Sequence, residues 1–211
     1  WQPVFQIWNA PDHISATTPT YEPTLREAVY GRMLGETYQA IKAVDPALGV
    51  ITAGLVSGQP EWLAAVIESL DGNFPADALA LHPYTKRPDA DWPDPDWGTG
   101  EVGELINAYR QVVDLPFWIT EIGVDMPDDE DQADYLRRFY RTINAEFSDQ
   151  VEQLFWICYA DGMAHPFGLV DLAGQPKPAY HAFREVTQSQ VVAFGLSAST
   201  AISLNRLHEF A

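Results

Sequence analysis

Five times along the chain a short apolar run is followed by an amphipathic segment of helical period. That alternation restricts the fold more than any other feature. The apolar runs are residues 4–8, 49–53, 78–82, 117–121 and 154–159. The helical segments are about 24–44, 61–70, 100–113, 131–147 and 178–186. Local signals mark their ends. Thr24 and Glu27 have capping-box spacing, Asp45-Pro46 stops the first helix, Pro60 suits a first helical position and Gly72 suits a terminator. Near-continuous apolar strands with helical crossovers predict an α/β fold, a parallel sheet covered on both faces. The five units use up the chain by about residue 187, whereas a closed eight-stranded barrel takes about 250 residues. The remainder, 188–211, reads as a tail with a weak strand at 191–196 and a weak helix at about 199–210.

Composition narrows the partners. In 211 residues there are 12 Lys+Arg against 30 Asp+Glu, a formal charge of −18. Such a chain is repelled by nucleic acid and by anionic membrane surfaces, so neither is an expected partner. No apolar run approaches the roughly 18 residues a bilayer span needs. Cys158 is the single cysteine, which excludes an internal disulfide and a Cys-based zinc site. It is expected on the fifth strand, buried and inert. Secretion is compatible with this composition. The chain opens on Trp1 without an initiator Met or leader, so an upstream segment is expected.

Polar and aromatic residues collect where strands end: Asn9, His82, Tyr84, Glu121, Trp156 and Tyr159. In parallel barrels that rim carries the active site. Glu121 is the sharpest position. Ionised at an inner rim, it has the state a nucleophile needs; the alternative is a structural carboxylate bonded to neighbouring strand ends. Asn9 is otherwise a turn residue before Pro11, His82 a satisfied core histidine and Trp156 a core aromatic.

Several segments in register resemble clan A glycoside hydrolases. Val4-Phe5-Gln6-Ile7-Trp8-Asn9-Ala10-Pro11 resembles their W-N-E-P strand end, and His82-Pro83-Tyr84 their H-x-Y strand end. Trp118-Ile119-Thr120-Glu121-Ile122-Gly123 is similar to their nucleophile strand. Phe155-Trp156, Phe167-Gly168-Leu169-Val170-Asp171 and Gln175-Pro176-Lys177-Pro178-Ala179-Tyr180 resemble the final strand, loop and helix; Ala40-Ile41-Lys42-Ala43-Val44-Asp45-Pro46 also matches. The resemblance implies a TIM (β/α)8-barrel-like fold in which residues 1–187 supply strands 4–8. It implies retaining hydrolysis of an oligo- or polysaccharide by two carboxylates about 5 Å apart, with no cofactor. Glu121 would be the nucleophile and Asn9 would bond the sugar 2-hydroxyl. His82 and Tyr84 would orient the nucleophile or line the subsite, and Trp156 would lie under the ring.

Two departures follow. The acid/base Glu of the motif is replaced by Ala10, which carries no proton. Loss of a general acid typically removes about 10²–10⁴-fold in rate. Ala10 is either an engineered substitution or a natural degeneracy, or else Asp12, His13 or Asp161 takes over; the last is the weakest reading. A non-catalytic carbohydrate-binding pseudoenzyme is therefore the competing function. Second, strands 1–3 are missing, which leaves two open sheet edges. The expected remedies are an upstream half of the barrel, a homo-oligomer of half-barrels, or pairing through strand 191–196. Trp92 and Trp97, in the loop after the third strand, are either outer sugar platforms or loop packing. The six acids within 125–134 suit a Ca²⁺ loop less well than a helix N-terminus, so no metal is expected.

Overall fold

The computed structural model describes residues 3–12, 27–93, 98, 100–162 and 165–193. The chain divides into two compact units, residues 1–123 with 142–157, and residues 124–141 with 158–211. All the described strands belong to the first: β1 (Val4–Gln6), β2 (Gly49–Ile51), β3 (Leu79–Leu81), β4 (Phe117–Ile122) and β5 (Val151–Trp156). Every ladder is parallel. β1 pairs with β2, β3 with β4 and β4 with β5. Single bridges, Ile51 to Ala78 and Leu55 to Leu81, join the two groups. The spatial order therefore follows the chain order, as expected for successive βα units with crossovers of one hand.

The helices of this unit are α1 (Glu27–Val44), α2 (Pro60–Glu68) and α3 (Val102–Arg110). α1 stops where Asp45 Oδ1 accepts the Ala47 N–H at 2.9 Å, closing a side-chain turn around Pro46. α2 opens on Pro60, and Gly72 follows in the left-handed region (φ 79°), where its N–H reaches the Ile67 carbonyl at 3.1 Å. Thr24, half of the expected capping box, lies outside the described residues; the Glu104 carboxylate accepts the Glu101 N–H at 3.1 Å, the return arm of such a box at α3.

β3 is buried along its whole length. On one face Ile51, Ala78 and Ala80 form a small cluster against which Trp118 packs. Leu79, Leu81, Phe117 and Ile119 alternate with these and are also buried. The outer strands differ. β1 leaves Val4 and Phe5 exposed, and β5 leaves Phe155 exposed.

Two expectations need correction. The fifth strand is residues 151–156, not 154–159. The Phe147 carbonyl accepts both the Gln150 and Val151 N–H groups, so the chain leaves its helix directly into the strand. Glu152 and Gln153 are exposed on this edge, and that polar pair obscures the strand's start. Cys158 accordingly lies beyond the strand and is only partly buried; burial still raises its thiol pKa. The last helix, α5 (Pro178–Ala193), runs past residue 187, so 191–193 are helical and cannot be the expected strand; residues 194–211 lie outside the described set. The polar run Thr187-Gln188-Ser189-Gln190 hides that continuation in sequence.

The second unit holds α5 and the start of α4 (Asp129–Glu146). Buried Lys177 ties it together: its Nζ meets Asp161 at 3.4 Å, Asp129 at 3.3 Å and the Pro166 carbonyl at 3.0 Å. Tyr135 stacks on Phe139, and Tyr140 meets Phe183 edge-on. The acidic run has structural roles. Asp128 Oδ1 accepts the Glu130 N–H at 2.8 Å, Asp129, Glu130 and Asp131 fill the first turn of α4, and Asp125 pairs with His165 at 2.9 Å.

Candidate active site

Four strand ends of the first unit build the site. β4 carries Thr120 and Glu121. In a regular strand these two side chains leave on opposite faces. Pairing of β4 with β5 is irregular between Ile119 and Ile122, and both residues reach the same imidazole. Thr120 Oγ1 lies 2.9 Å from His82 Nε2, and Glu121 Oε2 lies 3.3 Å from His82 Nδ1. Tyr84 donates its hydroxyl to the same Oε2 at 2.8 Å. The Glu121 side chain is 27% exposed, so it is supported from behind and open in front; His82 is 1% exposed.

His82 is held by its surroundings. Its backbone N–H donates to the Leu55 carbonyl at 2.8 Å. A Cβ on Gly54 would overlap the ring, so glycine is what lets the imidazole lie against the β2 exit. Burial depresses the His82 pKa below its usual value, and the Glu121 and Asp12 charges oppose that only in part. His82 is thus a neutral ring beside a carboxylate.

The β1 exit joins the same group. The Ala10 N–H donates to the Gly54 carbonyl at 3.2 Å, so Ala10, Gly54, His82 and Glu121 form one chain of contacts. Trp8 (φ 77°) and Ala10 (φ 44°) both occupy the left-handed region, which non-glycine residues rarely adopt. Asn9 between them is exposed. Asp12 is buried and saturated. Its carboxylate accepts the Ser57 N–H at 2.9 Å, the Ser57 hydroxyl at 2.5 Å and the Val56 N–H at 3.1 Å. Bound this way it clamps the β1 exit to the turn after β2. Asp161 is equally committed, to Lys177 and to the Gly168 N–H at 2.7 Å. His13 and Trp97 lie outside the described residues.

The aromatic residues divide. Tyr84 is in the site. Trp156 closes β5 opposite Ile122 and is 9% exposed. Trp92 is 6% exposed, which favours the loop-packing alternative over the outer platform. Thr120 and Gly54 were not foreseen from sequence. No local signal marks either, because their roles come from contacts with a residue 38 and 28 positions away.

A family model described as the glycosyl hydrolase catalytic core matches residues 7–183. The chain belongs to this family. A β-xylosidase of Geobacillus stearothermophilus is 23% identical over 214 residues, covering 85% of this chain and 40% of that protein. Among solved structures, a family 39 glycoside hydrolase from Bacteroides cellulosilyticus WH2 aligns with a TM-score of 0.62 at 24% identity, over 86% of this chain and 39% of that one. A GH128 exo-β-1,3-glucanase from Aureobasidium namibiae gives 0.62 at 12% identity, over 85% and 66%. The chain therefore spans about two-fifths of the length of the β-xylosidase and of the family 39 enzyme. The glycoside-hydrolase resemblance and the TIM-barrel-like α/β fold, with this chain covering part of the barrel, are both borne out.

Proposed function

We propose that Glu121 is the nucleophile of a retaining glycoside hydrolase site acting on β-xylosides or related β-linked sugars of an oligo- or polysaccharide. The observation that carries this is the half-open carboxylate, with one oxygen bonded by the Tyr84 hydroxyl and flanked by a neutral, buried imidazole. Among the described residues the other oxygen takes no hydrogen bond, which leaves it for an electrophile. The β-xylosidase relative favours the xylo configuration as the first to test. In the first step the Glu121 oxygen forms a bond to the anomeric carbon. The bond to the aglycone breaks, and its electron pair leaves with the aglycone oxygen. In the second step water or another nucleophile displaces the carboxylate. Tyr84 and His82 orient Glu121, Asn9 bonds the sugar 2-hydroxyl and Trp156 borders the ring.

Ala10 gives no proton to the leaving group and activates no water. Activated aryl glycosides need little acid assistance, so they should glycosylate Glu121 in a burst, and azide should then release the sugar as a glycosyl azide of retained configuration. A 2-deoxy-2-fluoro-β-xyloside bearing dinitrophenolate should leave a stable adduct on the Glu121 peptide by mass spectrometry. No adduct and no azide release across a panel of glycosides would overturn the catalytic reading. Saturable sugar binding in that case would support the second one, a carbohydrate-binding pseudoenzyme, which Ala10 itself favours. Ala10→Glu should extend activity to natural substrates.

The exposed apolar residues of β1 and β5 support a further element of this reading: a segment or subunit supplying the other barrel strands covers both edges. Light scattering tests this on the chain itself. A monodisperse monomer that binds no sugar fits a site awaiting its other half. A monodisperse monomer that forms the Glu121 adduct quantitatively would overturn the need for one.

A further inference from the structure

We propose that Thr120 is a positioning residue that completes the His82 tautomer selected by Glu121, donating its hydroxyl to Nε2 while the ring's single proton sits on Nδ1 and faces Glu121. This rests on the reading of Glu121 as the reactive carboxylate, but its own content is a proton position in the resting protein.

A neutral imidazole has one N–H and one bare lone pair. Glu121 Oε2 stands 3.3 Å from Nδ1. A bare Nδ1 there would set a lone pair against an anion; a protonated Nδ1 sets a donor against it. The carboxylate thus selects the Nδ1–H form. Nε2 must then find a donor, because the ring is 1% exposed and bulk water does not reach it. The Thr120 hydroxyl, 2.9 Å away, can supply that hydrogen, since a hydroxyl rotates to suit its partner.

The backbone enforces the arrangement. Side chains 120 and 121 meet the two nitrogens of one ring only because β4 is irregular between Ile119 and Ile122. Gly54 closes the other side, so the ring cannot retreat from either residue. Burial keeps the ring neutral, which makes the choice of tautomer a real one. The groups facing it are Glu121 and Thr120 from β4 and Tyr84 from the loop after β3; Asp12 adds a more distant negative charge. In water the other tautomer of imidazole is the commoner, so the site must impose this one.

Nitrogen NMR on the intact protein with labelled histidine reads the proton directly, since a protonated and a bare ring nitrogen resonate far apart. The signal of His82 is assigned by its loss in His82→Gln. At neutral pH the wild type is expected to show a protonated Nδ1 and a bare Nε2. Thr120→Ser, which keeps the hydroxyl, should preserve that pattern. Thr120→Val, of nearly the same shape, should lose it, through tautomer exchange or inversion. A wild-type ring protonated on Nε2 overturns the proposal, and so does a Thr120→Val signature identical to the wild type. The wild-type measurement needs no variant to fold and no turnover. Adduct formation on Glu121 is scored separately: no adduct with the expected tautomer sinks the nucleophile and leaves the proton position standing. An adduct with the opposite tautomer does the reverse.

Discussion

Asp12 and Glu121 are two carboxylates beyond or at strand ends of the first unit, and they are surrounded differently. Asp12 is closed in and takes two backbone N–H groups and a hydroxyl. Glu121 receives the Tyr84 hydroxyl, has a neutral ring beside it and stays partly open. A carboxylate whose lone pairs are filled by backbone donors holds the fold. One fixed on a single side keeps an oxygen for chemistry. The same contrast recurs in the second unit, where Asp161 is closed by Lys177 and by the Gly168 N–H.

The widest gap is expected between Asp12→Ala and Glu121→Gln. The first leaves the half-buried Val56 and Ser57 N–H groups without their acceptor, at about 0.5–1.5 kcal/mol for each. The second keeps the shape at a half-open site and should move stability by no more than about 0.5 kcal/mol. Urea midpoints give both numbers. Equal losses would erase the distinction between the two carboxylates. Glu121→Gln should meanwhile remove the fluoroglycoside adduct completely.

Next in size is Gly54→Ala. The added methyl overlaps the His82 ring, and such overpacking costs about 1–3 kcal/mol. Thermal unfolding measures the cost. Displaced His82 ring signals should accompany it, since relief by moving the ring away also moves it from Glu121. Unchanged stability and ring signals would mean the imidazole is not held as described.

Much of this arrangement was legible in sequence, and the failures have physical causes. The buried strands β3 and β4 are nearly continuous apolar runs, and Glu121, His82 and Tyr84 stand out because charged or polar residues end those runs. β5 begins three residues before its apolar run, because an edge strand tolerates Glu152 and Gln153. The clamp made by Asp12 is not legible locally, because its neighbours in sequence say nothing about Val56 and Ser57, 44 and 45 residues on. Thr120 is invisible for a similar reason: its partner lies on another strand, and a break in strand pairing decides that it faces the ring at all.

A third, smaller effect concerns pH. The folded-state pKa of His82 lies below 6.5, because burial outweighs the nearby negative charges. The unfolded chain therefore takes up the proton first as pH falls. The contribution of the neutral ring is whole above about 6.5 and is lost as pH drops from there through the folded-state pKa. Stability against pH should be flatter in His82→Gln across that range, by at most about 1.4 kcal/mol per pH unit. The difference between the two curves reads the ring together with its coupling to the Glu121 and Asp12 charges. Parallel curves would place His82 in contact with solvent protons and break the account of a buried neutral partner for Glu121.

The smallest expected effect sits at Ala10. Its left-handed backbone costs an alanine about 1–2 kcal/mol, and glycine escapes that cost while losing more chain entropy on folding. Ala10→Gly should therefore stabilise by about 0.5–1 kcal/mol, readable as a small rise in the urea midpoint. Ala10→Glu carries a Cβ like alanine and meets the same backbone strain, so it should leave the midpoint nearly where it is. That equality separates the two meanings of this position. The strand exit holds residue 10 in a conformation that alanine does not improve on, and a glutamate can re-enter at no added backbone cost. Restored hydrolysis in Ala10→Glu then measures only the returning proton donor. A large loss of stability in that variant would mean that the space beside Glu121 no longer admits a second carboxylate.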